Sequence, residues 1–240
     1  MAAPDIISTR PISRRIDNPI DRRRFLAATS AGAATMLASA YPRNVGAQTM
    51  TIDFRAAAIG GLPEGFIFAR TGNGAAGGWS VLEDTSAPSK RVLAQTIADP
   101  TDYRFPMAIH EKISAANVEA TVRFKAVAGR VDRAGGLVVR LADADNYYVV
   151  RANALEDNVN FYRVVNGGRR EIKGVAMAVP SGVWHELSLK AVGDSFTIAF
   201  NGRALFTATD RTFAAAGKVA LWTKADSVTH FDGLMVKMLA

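Results

Sequence analysis

The chain has 240 residues, no cysteine and a formal net charge of +7. The lack of cysteine excludes thiolate metal sites, cysteine nucleophiles and disulfide staples. Residues 1–47 hold seven arginines against Asp5, Asp17 and Asp21, so only three of the seven net charges belong to the remainder, where they are scattered. A nucleic-acid footprint needs Lys and Arg clustered on one face, so no nucleic-acid partner is expected.

The N-terminal segment reads as a leader. Arg22 and Arg23 precede Phe25 and Leu26 in the pattern R-R-x-F-L of a twin-arginine (Tat) signal, and no charge follows until Arg43. That stretch is too short and too weakly apolar for a bilayer core, which asks for about 20 apolar residues. Small residues offer cleavage after Ala40 or Ala47, and Gln48 begins a segment that reads as structured. The expected organisation is therefore a signal peptide over 1–47 and one domain over 48–240. The domain would be carried by the Tat translocase and be periplasmic or secreted, with no membrane anchor after cleavage. About 190 residues suffice to bury a core without a staple.

Beyond residue 49 helical period is almost absent and alternation dominates. Residues 60–78 are rich in Gly and Ala and read as loops around a short strand over 66–69, with turns over 85–90 and 98–102. Val118, Ala120, Val122 and Phe124 alternate with Glu119, Thr121 and Arg123, the period-2 mark of a half-buried strand. Strands over 137–141 and 147–151 flank a turn at Asp143, Asp145 and Asn146, and strands over 161–165 and 170–173 flank Asn166-Gly167. Residues 187–191 and 196–200 form the next pair. Asn201-Gly202, the strongest hairpin signal in the chain, leads into 204–207. Strands over 218–223 and 231–238 close the chain. The fold class is all-β, an antiparallel two-sheet sandwich.

The run F-x-I-x-F-N-G-x-x-L-F from Phe196, followed by G-K-V-A-L-W-T-K-A-D-S-V-T-H-F-D to Asp232, resembles the closing strands of the concanavalin A-like jelly roll. The block D-A-D-N-Y-Y-V-V-R-A-N over 143–153 resembles its middle strands. The pattern is similar to laminin-G-like domains and to the bacterial 3-keto-disaccharide hydrolase domain. The resemblance implies a curved sheet whose concave face holds glycan, with a convex sheet behind it; fold alone does not fix function. The acidic cluster E-x-D-x-x-E of the laminarinase branch is absent from the sequence.

Site candidates follow from residue type and strand position. Arg123, Arg140 and Arg151 lie on strands and would line a groove, where the guanidinium fork suits diols and carboxylates. Arg140 is expected to point outward. A floor shared with Arg151 would favour an acidic or oxidised sugar. Trp222 and Lys224 share the polar side of their strand, and Trp222 there would stack on a sugar ring. Tyr148, Asn153 and Asn158 complete the ligand-binding set. Glu156 and Asp157, in a polar loop, are the candidates for acid/base chemistry, the plain alternative being a solvated turn. Asp143 and Asp145 are weak calcium candidates, since a hairpin turn uses the same residues; otherwise no cofactor is expected. The expected function is carbohydrate binding on the concave sheet. The alternatives are a hydrolase or lyase of 3-keto-disaccharides on the same fold and a non-catalytic periplasmic scaffold.

Overall fold

A computed structural model describes residues 48–240. Arg22, Arg23, Phe25 and Leu26 of the signal motif, and both cleavage sites, lie outside the described residues. Among those described there is no helix. Fifteen strands run in chain order as β1 (Gln48–Ile52), β2 (Phe66–Gly72), β3 (Trp79–Glu83), β4 (Arg91–Gln95), β5 (Arg104–Ala115), β6 (Val118–Ala128), β7 (Ala134–Asp143), β8 (Asn146–Asn153), β9 (Asn158–Val165), β10 (Gly168–Ala176), β11 (Trp184–Val192), β12 (Ser195–Phe200), β13 (Arg203–Thr209), β14 (Gly217–Trp222) and β15 (Val228–Met238). An eight-stranded sheet is ordered β13-β12-β11-β6-β15-β4-β3, with β1 added on β15; a seven-stranded sheet is ordered β10-β9-β8-β7-β14-β5-β2. Neighbours are antiparallel throughout both sheets.

Alternation places the core between the sheets. Val118, Ala120, Val122 and Phe124 of β6, Leu187 and Leu189 of β11, and Phe196 and Ile198 of β12 face Leu137, Val139, Tyr148, Val150 and Phe161 of the other sheet. At Asn166-Gly167 and Asn201-Gly202 both residues have positive φ (48° and 76°, 50° and 76°), the backbone of the two-residue turn whose twist matches the strands it joins. The strands β4 and β5 carry little alternation to read. The first half of β5, Arg104 to His110, is buried on both faces, and such a strand gives a continuous run.

The face of the seven-stranded sheet turned away from the core is itself apolar and covered. Phe105, Met107, Tyr147, Val149, Tyr162 and Trp222 are all buried there. The cover comes from the sheet's own curl. Arg169 on β10 and Phe105 on β5 stand five strands apart, about 24 Å across a flat sheet. Yet the Arg169 guanidinium lies 4.8 Å from the Phe105 ring. Tyr103 OH, just before β5, donates to Gly167 O (2.7 Å) and accepts from Arg169 N (2.7 Å). Thr71 Oγ1 at the end of β2 donates to Ala144 O in the β7–β8 turn (2.5 Å). Two opposite corners of the sheet therefore meet, and the face between them is concave.

Candidate functional site

One row of residues crosses the concave face in register: Asn160 on β9, Arg151 on β8, Gly136 on β7, Trp222 on β14 and Met107 on β5. Gly136 is set by space. A Cβ there would stand 2.8 Å from Val150 O and 3.1 Å from Trp222 Cε3, so a side chain would push apart the groups on either side. Gly174 does the same for Asn160, whose Oδ1 would lie 2.2 Å from an added Cβ.

Arg151 is 2% exposed and organises the polar part of the row. Its Nη1 donates to Asn158 Oδ1 (2.5 Å), and its Nη2 donates to Glu156 Oε2 (2.6 Å) and to Tyr162 OH (3.0 Å). Asn160 Nδ2 donates to the same Tyr162 oxygen (3.0 Å) and to Glu171 Oε2 (2.9 Å). Tyr162 OH accepts both bonds, and its own proton has no acceptor among the described residues. Glu156, in the β8–β9 turn, also accepts from Asn158 Nδ2 (3.0 Å), and its side chain stays 41% exposed. Burial pushes the Glu156 carboxyl up, but the hydrogen bonds from Asn158 and Arg151 outweigh it and hold the group below its usual value. Glu156 is therefore an anion at neutral pH, fitted to accept a hydrogen bond or a proton and unfitted to donate one.

A second cluster adjoins the row. Lys224 Nζ lies 2.6 Å from Asp132 Oδ2 and 3.0 Å from Asp102 Oδ1. Asn153 Nδ2 donates to Asp132 Oδ1 (2.6 Å). The loop bearing Asp132 is wrapped on Asp226, whose carboxylate accepts from the backbone N–H of Arg130 (2.6 Å), Val131 (3.1 Å) and Asp132 (2.9 Å). Burial pushes the Asp132 carboxyl up against the pull of Lys224. Lys224 is itself held above its usual value by the two carboxylates, despite its burial.

The structure thus brings Arg151, Asn153, Glu156, Asn158, Trp222 and Lys224 to one face and sends the remaining candidates elsewhere. Arg123 lies in β6 of the eight-stranded sheet, exposed on the side away from the core, so no groove joins it to Arg151. Arg140 is buried, not outward. It has φ +50° at a bulge where the registers of β7 with β8 and with β14 both shift. That twist turns the guanidinium into the end of the core, where it donates to Ala116 O (2.7 Å), Phe213 O (2.8 Å) and Gly193 O (2.5 Å). Tyr148 belongs to the core between the sheets, and its OH donates to Asp210 Oδ1 (2.7 Å). Asp157 is exposed, but its carboxylate is engaged by Val179 N (2.9 Å). Asp143 closes its own turn, accepting from Asp145 N (2.8 Å) and Asn146 Nδ2 (2.9 Å). No group of three or more His, Cys, Asp or Glu among the described residues is placed to hold a metal ion.

Trp222 is on the concave face but wholly covered. Its ring stacks on Phe105 (5.2 Å between centroids), its Nε1 donates to Tyr147 OH (3.3 Å), and Arg169 lies above it (5.9 Å). The aromatic ring that remains 38% exposed at the rim is Tyr103, 4.6 Å from Phe105. Sequence reasoning missed Tyr103, Asp132 and Arg169, which reach the face from loops or from a distant strand. It also missed Asn160 and Tyr162, although their alternation with Val159 and Phe161 marks the side they share with Asn158.

No family model matches the sequence, and no curated protein matches it. Solved structures do. The carbohydrate binding module CBM66 from Bacillus subtilis superposes with a TM-score of 0.53 at 22% identity, over 69% of this chain and 91% of that one. Domain 4 of AbnA, an extracellular arabinanase from Geobacillus stearothermophilus solved in complex with arabinotriose, gives 0.54 at 12% identity, over 80% and 93%. The β-glucanase of Bacillus licheniformis gives 0.52 at 13% identity, over 82% and 100%. At these identities the likeness is one of fold: the described residues form a concanavalin A-like jelly roll.

Proposed function

We propose that this chain is an exported carbohydrate-binding protein that takes a saccharide on the concave face of its seven-stranded sheet, at the open corner formed by Arg151, Glu156, Asn158 and Tyr162. One observation carries the reading. An ionised, partly exposed carboxylate stands beside a hydroxyl whose proton is unspent, both fixed by the same buried guanidinium. A sugar hydroxyl both donates and accepts, and a fixed acceptor next to a fixed donor is what orients it. Two similar structures, a carbohydrate binding module and a domain in complex with arabinotriose, support the ligand class. Export rests on the twin-arginine pattern at Arg22 and Arg23.

Binding is preferred to hydrolysis on the state of the acids. A general acid must hold a proton at working pH. Glu156 is held ionised, Asp157 is engaged by a loop amide away from the row, and Asp132, whose carboxyl burial pushes up, is wholly buried and held by Lys224 and Asn153. The test is calorimetry of the purified protein against a panel of neutral, acidic and keto-sugar glycans, beside Glu156→Gln. Binding by the wild type, weakened about tenfold or more in the variant, is expected, since one charge-assisted hydrogen bond is lost at a site that is not part of the core. Absence of binding across the panel would discard the reading. Turnover of a bound glycan would replace it with the enzymatic one.

A further inference from the structure

We propose that the saccharide taken by this face carries a carboxylate, and that Arg169 receives it; this inference rests on the carbohydrate reading above. Arg169 pairs with Val164 in the register of β10 and β9, which puts its side chain on the concave face. The guanidinium carbon lies 4.6 Å from the Tyr162 ring, 4.8 Å from Phe105 and 5.9 Å from Trp222. Among the described residues no carboxylate pairs with it, and its Nη1 is buried with no hydrogen-bond partner. Two neighbouring cations of the face are answered, Arg151 by Glu156 and Lys224 by Asp132 and Asp102. Glu171, two residues along the strand, turns its Oε2 to Asn160 instead.

Three aromatic faces steady a cation, but they leave the in-plane N–H groups without acceptors. A buried donor left in that state is a cost that a ligand with the right acceptor removes. The second guanidinium over the same Tyr162 ring, that of Arg151, is 5.6 Å from its centroid and also has a buried, unpartnered N–H, at Nε. A planar two-oxygen acceptor fits the fork of Arg169, whose side chain stays partly exposed. A neutral hydroxyl would supply a single acceptor and leave the charge uncompensated. The ligand class is therefore a uronic-acid saccharide in preference to its neutral counterpart.

The experiment titrates the purified protein with a uronic-acid oligosaccharide and with the same oligosaccharide methyl-esterified, for the wild type, Arg169→Gln and Arg169→Lys. The wild type is expected to bind the acid at least tenfold more tightly than the ester, with the preference shrinking as salt is raised. Arg169→Gln should bind the two alike, and Arg169→Lys should keep part of the preference. A wild type that binds the ester as well as the acid, or a preference intact in Arg169→Gln, overturns the assignment to Arg169 while leaving carbohydrate binding standing. Binding of neither ligand, nor of any glycan in the wider panel, overturns both. Should Arg169→Gln fail to fold by circular dichroism, the wild-type salt dependence and Arg169→Lys decide the question.

Discussion

Arg140 separates the sequence reading from the structure, because the two assign opposite consequences to its loss. As an outward groove residue, Arg140→Ala would leave stability unchanged and weaken ligand binding. In the structure its guanidinium donates to three backbone carbonyls, of Ala116, Phe213 and Gly193, and lies 5.1 Å over the Phe196 ring. A hydrogen bond involving a charged group contributes roughly 1.5–3 kcal/mol, and carbonyls left dry lose that, while those that rehydrate recover part of it. With one strong bond lost outright and two partly recovered, Arg140→Ala should cost about 3 kcal/mol. That corresponds to a fall in melting temperature of roughly 6–12 °C for a domain of this size. The backbone supplies an internal control. In an ordinary strand Gly is worse than Ala by roughly 0.5–1 kcal/mol, but at φ +50° Ala meets the left-handed penalty that Gly escapes. Arg140→Gly should therefore be more stable than Arg140→Ala by about 1 kcal/mol. The assay is urea unfolding followed by tryptophan emission, with exposed Arg123→Ala as reference, expected within about 0.5 kcal/mol of wild type. An Arg140→Ala protein that unfolds with the wild type would refute the buried anchor, and Gly below Ala would refute the bulge.

Gly202→Val tests the Asn201-Gly202 hairpin. A Cβ at Gly202 meets nothing within 4 Å, so the expected loss of about 1 kcal/mol or more would be backbone strain alone, and an unmoved melting curve would contradict it. Asp210 tests acid stability. Burial pushes its carboxyl up, but the bonds from Thr212, Tyr148 and Arg163 prevail and bring it to about 2. Its folded value lies below its unfolded one, so its contribution, about 2 kcal/mol, is present above pH ~4 and is lost as pH falls through about 2; Asp210→Asn should flatten that part of the stability–pH curve, and an unchanged slope would assign it elsewhere. Replacing Arg22 and Arg23 with Lys should stop delivery of processed protein to the periplasm in a fractionation experiment, and normal delivery would remove the export assignment.

Local pattern was legible where a strand had one wet face. From β6 onward most strands alternate, so the side on which Glu119 or Lys190 lies follows from sequence, and the two Asn-Gly turns mark the hairpins β9–β10 and β12–β13. The first half of β5 and most of β4 defeat this reading because burial on both faces erases alternation. The site was legible to the same depth. Asn158 and Arg151 lie on neighbouring strands of one hairpin, with Glu156 in its turn, so sequence proximity brought them together. Arg140 was misplaced because a bulge reverses parity. The cause lies partly on another strand, β14, where Gly217 lets the chain approach so closely that an added Cβ would stand 2.4 Å from the Arg140 carbonyl carbon.

Trp222 shows why strand parity alone does not describe a binding face. Parity puts its ring on the side away from the core, where an open stacking shelf would be expected. What lies above that ring is decided by the curl of the sheet, and the curl is held by contacts between residues far apart in sequence: Tyr103 with Gly167 and Arg169, and Thr71 with Ala144. Closing those two corners buries the aromatic floor beneath Arg169. It leaves open the corner where Glu156 and Asp102 remain exposed. The aromatic rings are thereby removed from solvent and hold a cation above them, while the polar groups at the open corner stay within reach of solvent. An apolar face that would otherwise invite association is covered by the chain itself, which leaves Arg169 Nη1 buried without a partner. That unpaired donor lies on the same face as the open carboxylate of Glu156, so the closure that hides the floor also leaves on this face the cation to which the proposed carboxylate is assigned.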